Sequence, residues 1–173
     1  MITQTQDRWQ YIGGSEAHYI YMGYHTSTFQ NWWRQKLEGI VEEIEPNPQM
    51  TVGTILEYDV IDLYERLNGV QGLRDQQAIK GIARANTDYI QGDKVSDVKV
   101  TSKAFEWFLK DRVPIQYKRQ LIHYRYVMDL SESSIIAYQT TDSLMQDPFQ
   151  ELDPSLLYEI EVEITDQEIE EHR

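Results

Sequence analysis

Apolar positions recur with two different periods along this chain, and the change of period divides it. Up to residue 69 the spacing is helical. Val52, Leu56, Val60, Leu63, Tyr64 and Leu67 form one stripe and Gly69 closes it, which predicts a helix over Thr51 to Asn68. Phe29, Trp32, Trp33 and Leu37 predict a second helix from Ser27 or Thr28 to Glu38, with Gly39 as its stop. Gly13-Gly14-Ser15-Glu16 reads as a turn into a short helix over 16–22 capped by Ser15, and Glu45 to Gln49 reads as a linker. Beyond the glycines near residue 70 the period shortens. Residues 79–91 and 94–101 predict two strands joined at Gln91-Gly92-Asp93. Helices are expected over 102–110 and, after Pro114, over 115–129. Strands are expected over 134–140 and 156–164, and a short frayed helix at the end. This order predicts one mixed α/β domain over 1–173: N-terminal helices 15–69, a sheet with an inserted helix over 79–164, and an acidic tail 165–173.

Composition narrows the function classes. The chain has no cysteine, which excludes disulfides, cysteine-bound zinc, iron–sulfur clusters and thiol catalysis. No apolar run is long enough to predict a membrane span, and the opening MITQTQDRWQ does not predict a secretory leader. The formal charge of −13 argues against a simple basic nucleic-acid-binding domain. That charge is uneven. Residues 150–173 hold nine acids and one base, whereas 99–125 hold seven bases and two acids. A charge run is by default a solvated face.

Candidate chemistry lies in the two central strands. Residues two apart in a strand share a face, so Asp97 and Lys99 project together with Val95, while Val98 and Val100 point the other way. In a hairpin Asp88 approaches Asp97, and paired carboxylates favour a hard divalent cation such as Mg²⁺ or Mn²⁺. Glu57 stands among mostly apolar helical neighbours, with Gly53 one turn earlier to permit close approach. Taken singly, an Asp-x-Lys in a strand and a Glu on a helix are ordinary surface features. Their order makes the case.

That order resembles the YqaJ-type viral recombinases, phage exonucleases related to lambda exonuclease within the PD-(D/E)XK superfamily. Arg8 and Ser15 are similar to the family's opening motif, and Ser27 to Gly39 to its Trp-containing segment. Gly53 to Glu57 resembles the G-x-x-x-E helix, Asp88 and Asp97-Val98-Lys99 the split core, and Gln120 to Tyr124 the Q-x-x-x-Y helix. The sequence departs in having Asp97 where Glu is commoner, and Thr87 and Tyr89 around Asp88 in place of Pro and Gly.

The resemblance implies a restriction-endonuclease-like core, a central mixed sheet flanked by helices. It implies Mg²⁺ held by Glu57, Asp88, Asp97 and the Val98 carbonyl, with Mn²⁺ able to substitute. Lys99 is implied to position the attacking water, and Gln120 and Tyr124 to buttress the site, although a packed, partly polar helix would look the same. Arg8 and Ser15 are implied to anchor a 5′-phosphate, a role that a free helix N-terminus would suit. Lys103 is a further phosphate contact, and the basic 99–125 stretch would line a DNA groove. The implied activity is 5′→3′ digestion of one strand of linear duplex DNA for single-strand-annealing recombination. It would be carried out by a phage-encoded homo-oligomer in the bacterial cytoplasm, beside a phage annealing protein. Another PD-(D/E)XK nuclease, RecB-like or endonucleolytic, stays open, as does a non-catalytic acidic DNA mimic or binding module. His18, His25 and His123 lack metal-ligand spacing and read as structural, and Trp32 and Trp33 read as core.

Overall fold

In the computed structural model the described residues are 7–40 and 45–173; most of the opening stretch read for a leader lies outside them. The helical part comprises α1 (Ala17–Ile20), α2 (Ser27–Glu38) and α3 (Pro48–Asn68). Helix α2 falls where the pattern placed it, with Thr26 Oγ1 accepting from the Phe29 amide and Gly39 left-handed at φ 69°. Helix α3 starts inside the expected linker. Pro48 occupies its first turn and Asn47 caps it, accepting from the Met50 amide at 2.9 Å. A proline with a preset φ after an asparagine is a start signal here, not a break. The first helix is shorter than expected. A 3₁₀ turn over Gly14–Glu16 leads into the single turn of α1, and Ser15 makes no side-chain cap.

Five strands follow β1 (Ile12–Gly13): β2 (Leu73–Lys80), β3 (Ala83–Gln91), β4 (Lys94–Thr101), β5 (Glu132–Gln139) and β6 (Leu157–Glu161) complete one sheet of six. The run read as one strand over 79–91 is therefore two, broken at Gly81, where φ is 61°. The missed strand β2 is an edge whose Arg-Asp-Gln-Gln core has no apolar alternation to read. The sheet runs β1-β3-β4-β5-β6, with β2 on the other edge of β3. Strands β3 and β4 are antiparallel, β4 and β5 parallel, β5 and β6 antiparallel. Helix α5 (Ile115–Met128) provides the crossover from β4 to β5, preceded by α4 (Ala104–Lys110). A helix the pattern gave no sign of, α6 (Asp142–Gln146), is a single capped turn after β5.

The sheet separates two apolar layers. Val52, Leu56, Val60 and Tyr64 of α3 pack with Tyr89, Val98, Ile136 and Tyr138 on one face. Leu121, Tyr124 and Val127 of α5 pack with Val95, Ile135, Ala137 and Ile160 on the other. The alternation along β5 (Ile135 and Ala137 one way, Ile136 and Tyr138 the other) is the period-two pattern of a strand covered on both sides. The chain closes with α7 (Asp166–His172), which is docked where a frayed end was expected. Thr165 and Glu168 form its capping box, Lys118 pairs with Glu168 at 2.8 Å, and His172 meets His123 at 3.0 Å.

Leu56 is fully buried and precedes Glu57, so the packing of α3 on the sheet fixes where that carboxylate stands. Leu56→Ala is expected to lower unfolding stability by about 2–5 kcal/mol, read from urea denaturation.

Candidate active site

Strands β3 and β4 pair only near their turn, from Gln91↔Lys94 to Tyr89↔Ser96. Strand β4 then continues against β5 through Thr101, so β3 and β4 separate like a fork. Asp88 and Asp97 stand at the opening. The Val98 amide, which has no ladder partner on β3, donates to Asp88 Oδ2 at 2.8 Å. A side chain thus replaces the missing strand bond, as a buried amide requires.

Asp97 is almost fully buried. Its Oδ1 accepts from Gln120 Nε2 at 3.0 Å, and Gln120 Nε2 also reaches the Tyr124 hydroxyl at 2.7 Å. Its Oδ2 lies 2.5 Å from Lys99 Nζ, yet has no partner in hydrogen-bonding geometry. Asp97 and Lys99 face α5, and Val98 faces α3, as strand alternation predicted. The Lys99 ammonium also sits 5.0 Å from the centre of the Tyr117 ring. Glu57 comes from the other side of the sheet, on α3. A cleft of about 450 Å³ is lined by Glu57, Val98, Lys99 and Tyr117, with Gly53 and Thr54 of α3 beside them. A Cβ on Gly53 would stand 4.0 Å from Val100 Cβ, an ordinary contact, so the close approach expected there is not made by the protein's own atoms.

Electrostatics single out the same residues. Burial, then the Asp97 charge, hold the Asp88 carboxyl well above the ordinary range. Burial also raises Glu57, with Asp75 and Asp97 adding to it. Burial alone would push Lys99 down; the Asp97 and Asp88 charges outweigh it and hold the ammonium above its usual value. Tyr124 is pushed up by burial, then by Asp97 and Asp88. One lysine therefore answers several mutually repelling acids.

The pattern did not reveal Asp75. It lies in β2 with a left-handed φ of 52°, a strained conformation for a non-glycine residue within a strand. The β2–β3 register skips the place where Asp75 would face Asp88. Its carboxylate is bonded by the Tyr58 hydroxyl. Because β2 went unread, no sequence signal marked this acid.

The residues present suit a hard cation: oxygen-only acids with excess negative charge, one of them a buried carboxylate whose Oδ2 faces only the Lys99 ammonium. They do not form a closed cage by themselves. Among the described residues no three His, Asp or Glu side chains stand close enough to hold a metal as they are. Lys99 and Gln120 engage Asp97, and the Val98 amide engages Asp88.

Gly14, beside Ser15, packs against Tyr124, and Arg8 lies near Glu16. A Cβ on Gly14 would come within 2.3 Å of the Tyr124 ring, so the turn carrying Ser15 rests on the residue that contacts Gln120. The turn is not the free helix N-terminus expected. The Gly13 amide already donates to Glu16 Oε2 at 3.0 Å, and α1 is one turn long. Lys103 stands outside the cleft, exposed, 3.2 Å from Glu106. The basic stretch 99–125 does not form one surface. Lys118 pairs with Glu168, and Arg125 is buried, bonding the Leu130 and Ile164 carbonyls. Lys103 and Lys110 share Glu106 in the open.

No family model and no curated protein matches this chain. Solved structures share its fold. An alkaline exonuclease from Laribacter hongkongensis matches with a TM-score of 0.75 at 18% identity, over 95% of this chain and 83% of that one. The same enzyme in complex with dAMP gives 0.75 at 19%, over 96% and 84%. A phage-related exonuclease from Haemophilus somnus 129PT gives 0.68 at 16%, over 94% and 88%. The expected mixed sheet flanked by helices is thus present, in a fold shared with these exonuclease structures.

A folded-state carboxyl raised above its unfolded value contributes stability that is fully present below the unfolded pKa of about 3.9 and lost as pH rises through the folded value. Asp88 is in that position. Asp88→Asn keeps an oxygen for the Val98 amide without the charge. It is expected to stabilise the protein by about 1 kcal/mol at pH 8, with the gain shrinking toward pH 4. Thermal melts at both pH values check this, and an equal gain at both contradicts it.

Proposed function

We propose that this chain is a Mg²⁺-dependent deoxyribonuclease that digests one strand of linear duplex DNA from its 5′ end. What supports the reading is that Asp88, Asp97 and Lys99 interact at the β3–β4 fork with Glu57 of α3 within electrostatic reach, on a fold shared with exonucleases. The phage setting, 5′→3′ polarity, recombination role, cytoplasmic location, annealing-protein partner and homo-oligomeric state belong to the same proposal, supported by the resemblance in motifs.

Glu57, Asp88 and Asp97, with the Val98 carbonyl, would hold Mg²⁺ or Mn²⁺. Bound there, the cation supplies charge neutralisation and Lewis acidity to the scissile phosphate. Lys99 lines the cleft and offers its ammonium to the attacking water and to the charge that grows on the phosphate. Water attacks phosphorus in line, the bond to the 3′-oxygen breaks, and that oxygen leaves with a proton. Gln120 keeps Asp97 in one orientation, and Tyr124 fixes Gln120. Arg8 and Ser15 hold the terminal 5′-phosphate next to Tyr124. Lys103, with Lys110 and Arg112, meets the DNA backbone past the end of β4.

Incubation of 5′-phosphorylated linear duplex with Mg²⁺ tests the reading. Wild type is expected to degrade it and leave closed circles intact, chelation to stop it, and Lys99→Ala to lose about 10²–10³-fold in rate. Equal inertness of wild type and Lys99→Ala sinks the enzymatic reading in favour of a DNA mimic or binding module. Cutting of closed circles moves it to an endonuclease. Mg²⁺ is also expected to raise the melting temperature of wild type, by mass action on the folded state.

A further inference from the structure

We infer that the buried Glu16–Lys36 ion pair is the positioning device for the 5′-phosphate anchor, setting the Arg8–Ser15 segment from helix α2. This rests on the proposed anchoring role of Arg8 and Ser15.

The segment cannot hold its own shape. Between Arg8 and Ala17 it contains two 3₁₀ turns of three residues each and a two-residue strand, too short to be stable alone. Lys36, buried on α2, supplies what is missing. Its ammonium has three protons and three acceptors: the Arg8 carbonyl at 2.8 Å, the Tyr11 carbonyl at 2.7 Å and Glu16 Oε2 at 2.8 Å. Glu16 completes the clasp. Its Oε2 also takes the Gly13 amide at 3.0 Å, its Oε1 takes the Trp32 indole N–H at 3.4 Å, and Arg8 Nε stands 3.7 Å from Oε1.

Beside the short pairing of β1 with β3, the polar fixed points at both ends of the segment converge on two side chains. The backbone of Arg8 and Tyr11 is held by Lys36, and the turn before Ser15 by Glu16. Gly14 then sits against Tyr124, which places the segment one residue from Gln120 and two from Asp97. A buried charge pair is a poor source of net stability, but its directional bonds define one geometry. Neither side chain needs to touch DNA. They act through Arg8 and Ser15.

The test compares kcat/KM on linear duplex ends bearing 5′-phosphate or 5′-hydroxyl. The double variant Glu16→Gln, Lys36→Met removes both charges together, so no buried charge is stranded, and Glu16→Gln alone is the second variant. In wild type the phosphate end is preferred, and Arg8→Ala lowers the preference. The double variant is expected to lower it about tenfold, mostly through KM, while its rate on 5′-hydroxyl ends stays within about twofold of wild type. Glu16→Gln, which keeps the oxygen for Gly13 but loses the charge facing Lys36, is expected to fall in between. A wild-type preference in both variants, with the preference lost in Arg8→Ala, overturns the positioning role and leaves the anchor standing. Equal loss on both kinds of end, alongside a large fall in melting temperature, also overturns it by showing a general structural role. If Arg8→Ala keeps the full preference, the anchor reading itself fails, and the positioning role with it.

Discussion

A single hydrogen bond, from the Val98 amide to the Asp88 carboxylate at 2.8 Å, governs where this sheet opens. Strand β4 is committed to β5 along its whole length. Strand β3 is committed to β2 on its other edge. The β3–β4 ladder nevertheless ends at Tyr89↔Ser96, although each strand keeps its partner on the opposite edge. Opening the ladder leaves backbone amides without bonds in the middle of a covered sheet, which is costly unless something else accepts them. Asp88 accepts one of them. In doing so it is fixed beside Asp97, and the fork that would otherwise be a defect becomes a cleft with acids at its base.

The electrostatics follow from that geometry. Asp97 enters the α5 face because strand alternation leaves it no choice, and burial there forces it to seek donors. Gln120 and Lys99 answer it from a helix and from the same strand. Glu57 arrives from the opposite layer, held by the packing of Leu56 against the sheet. Burial, with neighbouring acids adding to it, raises the proton affinity of Asp88 and Glu57, the mark of a place where folding stability is reduced for another purpose. The strained backbone of Asp75 beside them fits the same description.

Much of this was legible in the sequence, because the features that build it are periodic. The stripe of α3 ran for five turns and could be read from its apolar residues alone. The Asp97/Lys99 face followed from period two, and the order of Glu57, Asp88, Asp97 and Lys99 carried the fold. What escaped was local or unpatterned. Strand β2 is an exposed edge with a polar middle, so its acid at residue 75 had no context. The start of α3 was hidden by two prolines that read as a linker until Asn47 is seen to cap it. The turn at Ser15 looked like a helix N-terminus because sequence shows the glycines and the serine, but not that Glu16 folds back to take the Gly13 amide. Bonds of that kind depend on a partner such as Lys36, twenty residues away, and no local pattern contains it.

The charge of the chain also means something different once it is placed. The acids near the C-terminus are not a free repulsive tail. Glu159 bonds Lys94, Ser134 and Tyr64, Glu161 reaches Lys94, and Glu168 reaches Lys118. They stitch β6 and α7 to the rest of the fold. In the same bonds they consume bases that the linear sequence seemed to offer to a polyanion. Within 99–125, Lys118 goes to Glu168, Arg125 to backbone carbonyls, Lys99 to Asp97 and Arg119 lies over the Tyr21 ring, which leaves Lys103, Lys110 and Arg112 at the exposed end, two of which share Glu106. Such a surface cannot hold DNA through a broad field, since at physiological salt a few scattered cations are screened within about 8 Å. Affinity for a phosphate must then come from short-range groups held in place beforehand. Lys99 and the Arg8–Ser15 segment are each fixed by a buried acid, Asp97 for the one and Glu16 for the other, so under the proposed function a phosphate would meet groups already held in place.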